Sequence, residues 1–171
     1  PVGYNTYQIL QLPGYVVMLY EWNHLYRYIP LDGSPHVSPD IRLGMGDSRG
    51  RWEGNTLVVD VTNFTDNTWP VGHGAPPEGA PGRALTTGHG VFHSRDLHVV
   101  ERFTFVDANT INYRATIEDP NVFTQPWTIE FNALQRAPGD HMLFEYACHE
   151  GNGRGISLMT GTDLEAIRLG E

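Results

Sequence analysis

Gly50-Arg51-Trp52-Glu53-Gly54-Asn55-Thr56-Leu57-Val58-Val59-Asp60-Val61-Thr62-Asn63 decides the fold class. A Gly-Asn dipeptide sits there between two runs of strand-forming residues, which is a hairpin signal. The same rhythm recurs on both sides. Residues 15–22 are rich in β-branched and aromatic side chains, Asn23-His24 supplies a turn, and 25–31 returns to Asp32-Gly33. Residues 97–106 turn through Asp107-Ala108-Asn109 into 110–118, and 126–135 turn at Ala137-Pro138-Gly139-Asp140 into 141–148. Eight strands in four consecutive hairpins predict an all-β chain: an eight-stranded antiparallel meander, the composition of a small closed barrel or a sandwich.

The rest of the composition agrees. A chain of 171 residues suits a single domain, 1–171. Nineteen glycines and twelve prolines leave little room for long helices. Only Thr162-Asp163-Leu164-Glu165-Ala166-Ile167-Arg168-Leu169 has an N-cap residue, early acids and a late arginine, which predicts one short C-terminal helix. A second short helical turn is expected at 39–43. Residues 70–90 hold ten glycines and prolines. A connection of that length reads as a lid or as an arm joining subunits or a larger assembly, with inert disorder as the alternative.

Several function classes fall away. All eleven basic residues are arginine, so a lysine Schiff base, a phosphate-loop lysine and a kinase strand lysine are excluded. A net charge of −9 argues against a nucleic-acid partner, because neutralising phosphates needs a basic face. Cys148 is the single cysteine, which excludes an intrachain disulfide and a four-cysteine zinc site. No apolar run reaches the roughly 18 residues of a membrane-spanning helix. The glycines at 44, 46 and 50 fail the dinucleotide spacing, so no nucleotide cofactor is expected. Ser48 and Ser94 lack a nucleophile-elbow setting. The opening Pro1-Val2-Gly3, without an initiator methionine, reads as a mature or trimmed product.

Three groups of residues carry candidate chemistry. Histidine is frequent, and His73, His89, His93 and His98 cluster around the long connection. Neutral imidazole is the commonest transition-metal ligand, so His89, His93 and His149 form a candidate site for a divalent transition metal; solvated loop histidines are the plainer reading. In Tyr146-Ala147-Cys148-His149-Glu150, adjacent strand residues point to opposite faces, which favours Cys148 as a buried small residue. His149 and Glu150, at a strand end, are better placed for catalysis. In 97–105, alternation puts Val99, Glu101, Phe103 and Phe105 on the more apolar face. Glu101 should therefore point inward, with a raised pKa that suits acid–base work unless an arginine pairs with it; Arg114 across the hairpin is the candidate partner. Trp52, Tyr113, Trp127 and Tyr146 would line an apolar ligand cavity, or simply fill the core.

Together, Gly46-Asp47-Ser48-Arg49-Gly50-Arg51-Trp52-Glu53-Gly54-Asn55-Thr56-Leu57-Val58-Val59-Asp60, Val100-Glu101-Arg102-Phe103, Thr116-Ile117-Glu118-Asp119-Pro120 and Tyr146-Ala147-Cys148-His149-Glu150-Gly151-Asn152 are motifs of one kind. With Ile29-Pro30-Leu31-Asp32-Gly33-Ser34-Pro35-His36 before them, they resemble an uncharacterised family of exported bacterial β-rich proteins, over residues 8–170. Ser34 and Asn55 stand where that family would have arginine and aspartate, departures that could retune a charged site. The resemblance implies a periplasmic or extracellular bacterial protein, and no particular reaction. The strand count separately resembles the calycin or lipocalin-like barrels, an analogy of fold alone.

Three functions follow as expectations. The first is action on a small organic molecule by acid–base chemistry of the lyase, hydratase or isomerase kind. Glu101 and His149 would transfer protons there, with His93 or Glu150 assisting. The second is non-enzymatic small-ligand binding, or assembly through residues 70–90, homo-oligomer formation included. The third is a histidine-ligated metalloprotein.

Overall fold

The computed structural model describes residues 6–21, 24–66 and 93–144. Regular structure among them is entirely β, in the order β1 (Tyr7–Leu12), β2 (Tyr15–Tyr20), β3 (Tyr26–Pro30), β4 (Asp47–Glu53), β5 (Thr56–Thr62), β6 (His98–Phe105), β7 (Thr110–Glu118) and β8 (Trp127–Gln135). Every ladder is antiparallel and joins sequence neighbours, as a meander requires. The meander nevertheless divides into two sheets, β1-β2-β3 and β4-β5-β6-β7-β8, with no ladder between β3 and β4.

The Gly54-Asn55 turn closes the deciding hairpin, with Glu53 opposite Thr56 and Gly54 at φ +62°, as the first central residue of a type II′ turn requires. Strand β1 lies outside the four hairpins read from the sequence. It forms because Pro13-Gly14 is itself a two-residue turn: proline presets the first φ and Gly14 takes φ +83°. At the other end, His141–Phe144 do not extend as a strand. The Pro138-Gly139-Asp140 turn closes through His141 N–H to the Pro138 carbonyl, 3.0 Å, and the His141 ring reaches Thr6 Oγ1, also at 3.0 Å. Residues 39–43 form a turn, with Ile41 N–H on the Ser38 carbonyl, and no helix. The 70–90 connection, the end of the expected 141–148 strand and the 162–169 helix lie outside the described residues. Among the described residues, no helix is long and apolar enough to cross a membrane.

The core fills the space between the sheets. Val16, Met18 and Ile29 of the small sheet meet Leu57, Val59, Val61, Phe103, Tyr113 and Ala115 of the large one. The two-residue period of a strand selects them: β5 sends Leu57, Val59 and Val61 inward and Thr56, Val58 and Asp60 outward. Val58 is fully buried all the same. It is flanked in register by Arg51 and Arg102, long side chains whose aliphatic stems shield an apolar neighbour. Gly50 lets β4 approach the small sheet, since a Cβ there would lie 2.7 Å from both Ile29 Cγ2 and Leu31 Cδ2.

The Asp119-Pro120 motif has a structural role. The buried Asp119 carboxylate accepts from Ser94 N–H, from the Ser94 hydroxyl (2.8 Å) and from Asn121 N–H (3.2 Å). It thereby ties the entry of β6 to the exit of β7.

Candidate functional site

The inward face of β6 delivers Glu101 to the middle of the core, and the facing strand β3 delivers Arg27. Arg27 shares its face with Ile29, while Tyr26 and Tyr28 point out to solvent. Arg27 Nη2 donates to Glu101 Oε2 at 2.5 Å and to Ser48 Oγ at 3.0 Å, and the Tyr113 hydroxyl donates to Glu101 Oε1 at 2.9 Å. All four residues are buried. Burial pushes the Glu101 carboxyl up, but the Arg27 guanidinium outweighs it and holds the group below the usual glutamate range. Burial, reinforced by the Glu101 carboxylate, raises the Tyr113 phenol, and burial with smaller contributions from Tyr20 and Glu101 raises Tyr7 to about 12. An ionised carboxylate therefore sits among neutral phenols. Arg27 Nε is buried with no hydrogen-bond partner among the described residues.

This arrangement corrects the partner expected for Glu101. Residue 101 pairs in register with Ala115, so Arg114 faces the other way and meets Glu130 on the outer surface, Nε to Oε1 at 3.3 Å. Of the two readings of Glu101, a raised pKa or an ion pair with an arginine, the structure shows the ion pair, with the arginine coming from across the core.

Beside the cluster, an apolar recess opens between the sheets, lined by Ile9, Gln11, Val16, Met18, Trp52, Leu57, Phe103 and Phe105. Trp52 and Phe105 form its mouth, 39% and 36% exposed, with ring centroids 5.9 Å apart. Two lining residues adjoin the polar cluster in register: Met18 opposite Arg27, and Phe103 opposite Tyr113. The recess has a volume of about 20 Å³, room for about one water.

The remaining expected residues are dispersed. Trp52 lines the recess and Tyr113 binds Glu101, whereas Trp127 packs edge-on against Phe123 at 5.6 Å, with its indole N–H buried and without a partner among the described residues. The His93 ring contacts Phe64 at 5.9 Å, and its Nδ1 lies 2.9 Å from the Ser94 carbonyl. His89, Tyr146, His149 and Glu150 lie outside the described residues. Among the described residues, no group of three or more histidine, cysteine, aspartate or glutamate side chains is arranged to hold a metal ion.

The sequence reading missed Arg27, although the alternation Tyr26-Arg27-Tyr28-Ile29 carries the signal: whichever face buries Ile29 must also bury Arg27. It also passed over His36, Asp47 and Asp60. These three join His98 on the outer face of the large sheet, through His36 Nδ1 to Asp47 Oδ2 at 2.8 Å, His36 Nε2 to Asp60 Oδ1 at 2.9 Å and His98 Nε2 to Asp60 Oδ2 at 3.0 Å.

Comparison with protein-family models, with curated proteins and with solved structures finds no match to this chain.

Proposed function

We propose that this chain is a small-ligand-binding β-barrel-like protein that takes a compact, largely apolar organic molecule between its two sheets. The observation that carries this reading is the apolar recess beneath Trp52 and Phe105, two of whose lining residues, Met18 and Phe103, stand in register with the buried polar cluster. Apolar walls supply affinity, while a few fixed polar groups set orientation. Glu101 neutralises Arg27, so the cluster favours an uncharged guest over an anion. On this reading the two sheets are the halves of a calycin-like barrel, and the motif resemblance supports export to the periplasm or beyond.

The test is a fluorescence titration with 1-aminoanthracene, a neutral aromatic probe. Saturable enhancement is expected, and Trp52→Ala should weaken the apparent affinity about five- to tenfold through lost ring contact. A signal that rises without saturating, or that ignores Trp52→Ala, removes the proposal.

Acid–base turnover is the second reading, favoured by an ionised carboxylate held against a phenol. The depressed Glu101 pKa keeps the carboxylate ionised, which does not suit an acid and leaves only a weak base. Here Glu101→Gln and His149→Ala would each abolish turnover on a substrate found among bound ligands, and unchanged turnover in both would sink it.

A further inference from the structure

The two sheets meet at a seam between β3 and β4 that no ladder closes. On its inner side the seam is spanned by Arg27 reaching Ser48 and Glu101. On its outer side, His36, which belongs to the connection carrying the chain from one sheet to the other, anchors that connection to the large sheet. The His36 ring lies between Asp47 of β4 and Asp60 of β5, one carboxylate at each nitrogen. Asp60 in turn meets His98 of β6, whose other nitrogen faces Glu118 of β7 with Nδ1 3.7 Å from Oε2. Among the described residues, the one guanidinium facing the group is Arg49 of β4, with Nη1 2.7 Å from Asp47 Oδ1. Three carboxylates thus face one guanidinium and two imidazoles.

An imidazole donates through both nitrogens only when protonated; the neutral ring donates through one and accepts through the other. Each ring here has carboxylate oxygens on both sides. With both rings protonated, every contact joins donor to acceptor and the charges balance. With both neutral, two carboxylates are left unbalanced and one ring lone pair on each histidine is set against a carboxylate oxygen.

We propose that His36, Asp60 and His98, with Asp47 and Glu118, form a pH-operated clasp that holds the β3–β4 connection on the outer face of the large sheet, closed when the rings are protonated and released when they are neutral.

Two features define what moves. Asp47 keeps its bond from Arg49, and Asn63 Nδ2 still donates to the Val37 and Ser38 carbonyls, so release does not detach the connection; what it loosens is the Val37 N–H bond (3.1 Å) to Asp47 Oδ2, the oxygen that His36 Nδ1 shares. The clasp also adjoins the interior. Asp47 points outward and its neighbour Ser48 points inward to Arg27, so a shift at the start of β4 reaches the buried cluster across one peptide unit. Burial pushes the Asp60 carboxyl up, but the hydrogen bonds from His98 and His36 prevail and hold it below the usual aspartate range. Its charge therefore persists wherever histidine titrates. On the acid side, Asp60's contribution is present above the ordinary aspartate pKa and is lost as the pH falls through the lower folded value.

The experiment is hydrogen–deuterium exchange with mass-spectrometric readout on the full chain, at about pH 5.5 and about pH 8, corrected for intrinsic exchange. Peptides covering residues 34–38 should lose protection about tenfold at the higher pH, the factor carried by one charge-assisted hydrogen bond. Peptides from β5 and β6 should not change. The pH response should vanish in His36→Asn with His98→Asn, and also in Asp60→Asn. Equal protection of wild-type residues 34–38 at both pH values overturns the proposal without recourse to any variant. A pH response that survives in folded variants overturns it as well.

Discussion

Arg27→Ala is expected to destabilise the protein by about 3–5 kcal/mol at neutral pH, the cost of leaving one charge of a buried pair uncompensated. Both side chains are almost fully buried, 4% and 5% exposed, so solvent screening does little to soften the loss. The pH dependence separates this from lost packing. In the native protein Glu101 has a depressed pKa, so its contribution is present above the ordinary glutamate pKa and is lost as the pH falls through the folded value. Without Arg27, burial outweighs the remaining Tyr113 hydrogen bond, and the folded pKa rises above the ordinary value. The penalty must then shrink as the pH is lowered toward about 4, where Glu101 becomes neutral. Urea unfolding of both proteins at neutral pH and near that value reads the effect directly. A difference in stability that stays constant with pH would show that Arg27 acts only through its bulk. The companion variant Arg27→Met, Glu101→Leu, Tyr113→Phe removes both charges and the phenol that would lose its acceptor. It should unfold within about 1 kcal/mol of the native chain, or later.

Gly46→Ala should cost about 2–4 kcal/mol and lower the melting temperature by on the order of 10 °C. Two causes add. Gly46 sits at φ +70°, where an L-residue is strained by about 1–2 kcal/mol. A Cβ there would also lie 2.7 Å from Val61 Cγ1, 2.8 Å from Phe64 Cε1 and 2.8 Å from the Thr62 carbonyl oxygen, and a backbone atom cannot give way cheaply. Gly54→Ala is the internal control. Its φ of +62° imposes similar strain, but nothing lies within 4 Å of the added methyl. Calorimetry on the two variants should find Gly46→Ala the worse by about 1–3 kcal/mol, the overpacking contribution. Equal losses would mean that the crowding around Gly46 relaxes freely.

Both predictions depend on facts of unequal visibility in the chain. Glu101 was legible as an inward residue, because Val99, Phe103 and Phe105 share its parity and mark the buried face. Its partner was not. Arg27 lies 74 residues away on the other sheet, and only the packing of that sheet over β6 brings the two within hydrogen-bond reach. Choosing Arg114 instead followed sequence proximity across a hairpin, and register defeated it: a partner one residue out of phase is on the wrong face. The recess shows the same division. Trp52 was named from its residue type, but the pairing of its ring with Phe105 depends on two hairpin turns ending side by side.

The sequence by itself determined strands β2 to β8 and the hairpin turn at Gly54-Asn55, because a two-residue period and the φ demand of Gly54 are local properties of the chain. It also determined what the protein lacks: no lysine, and no second cysteine to form a disulfide. The tertiary structure alone decided that the meander parts into two sheets at β3–β4, that Arg27 meets Glu101 across the core, and that His36, Asp60 and His98 gather outside it. Those contacts join residues far apart in the chain. They are fixed by register and by the packing of one sheet on another, which no local pattern encodes.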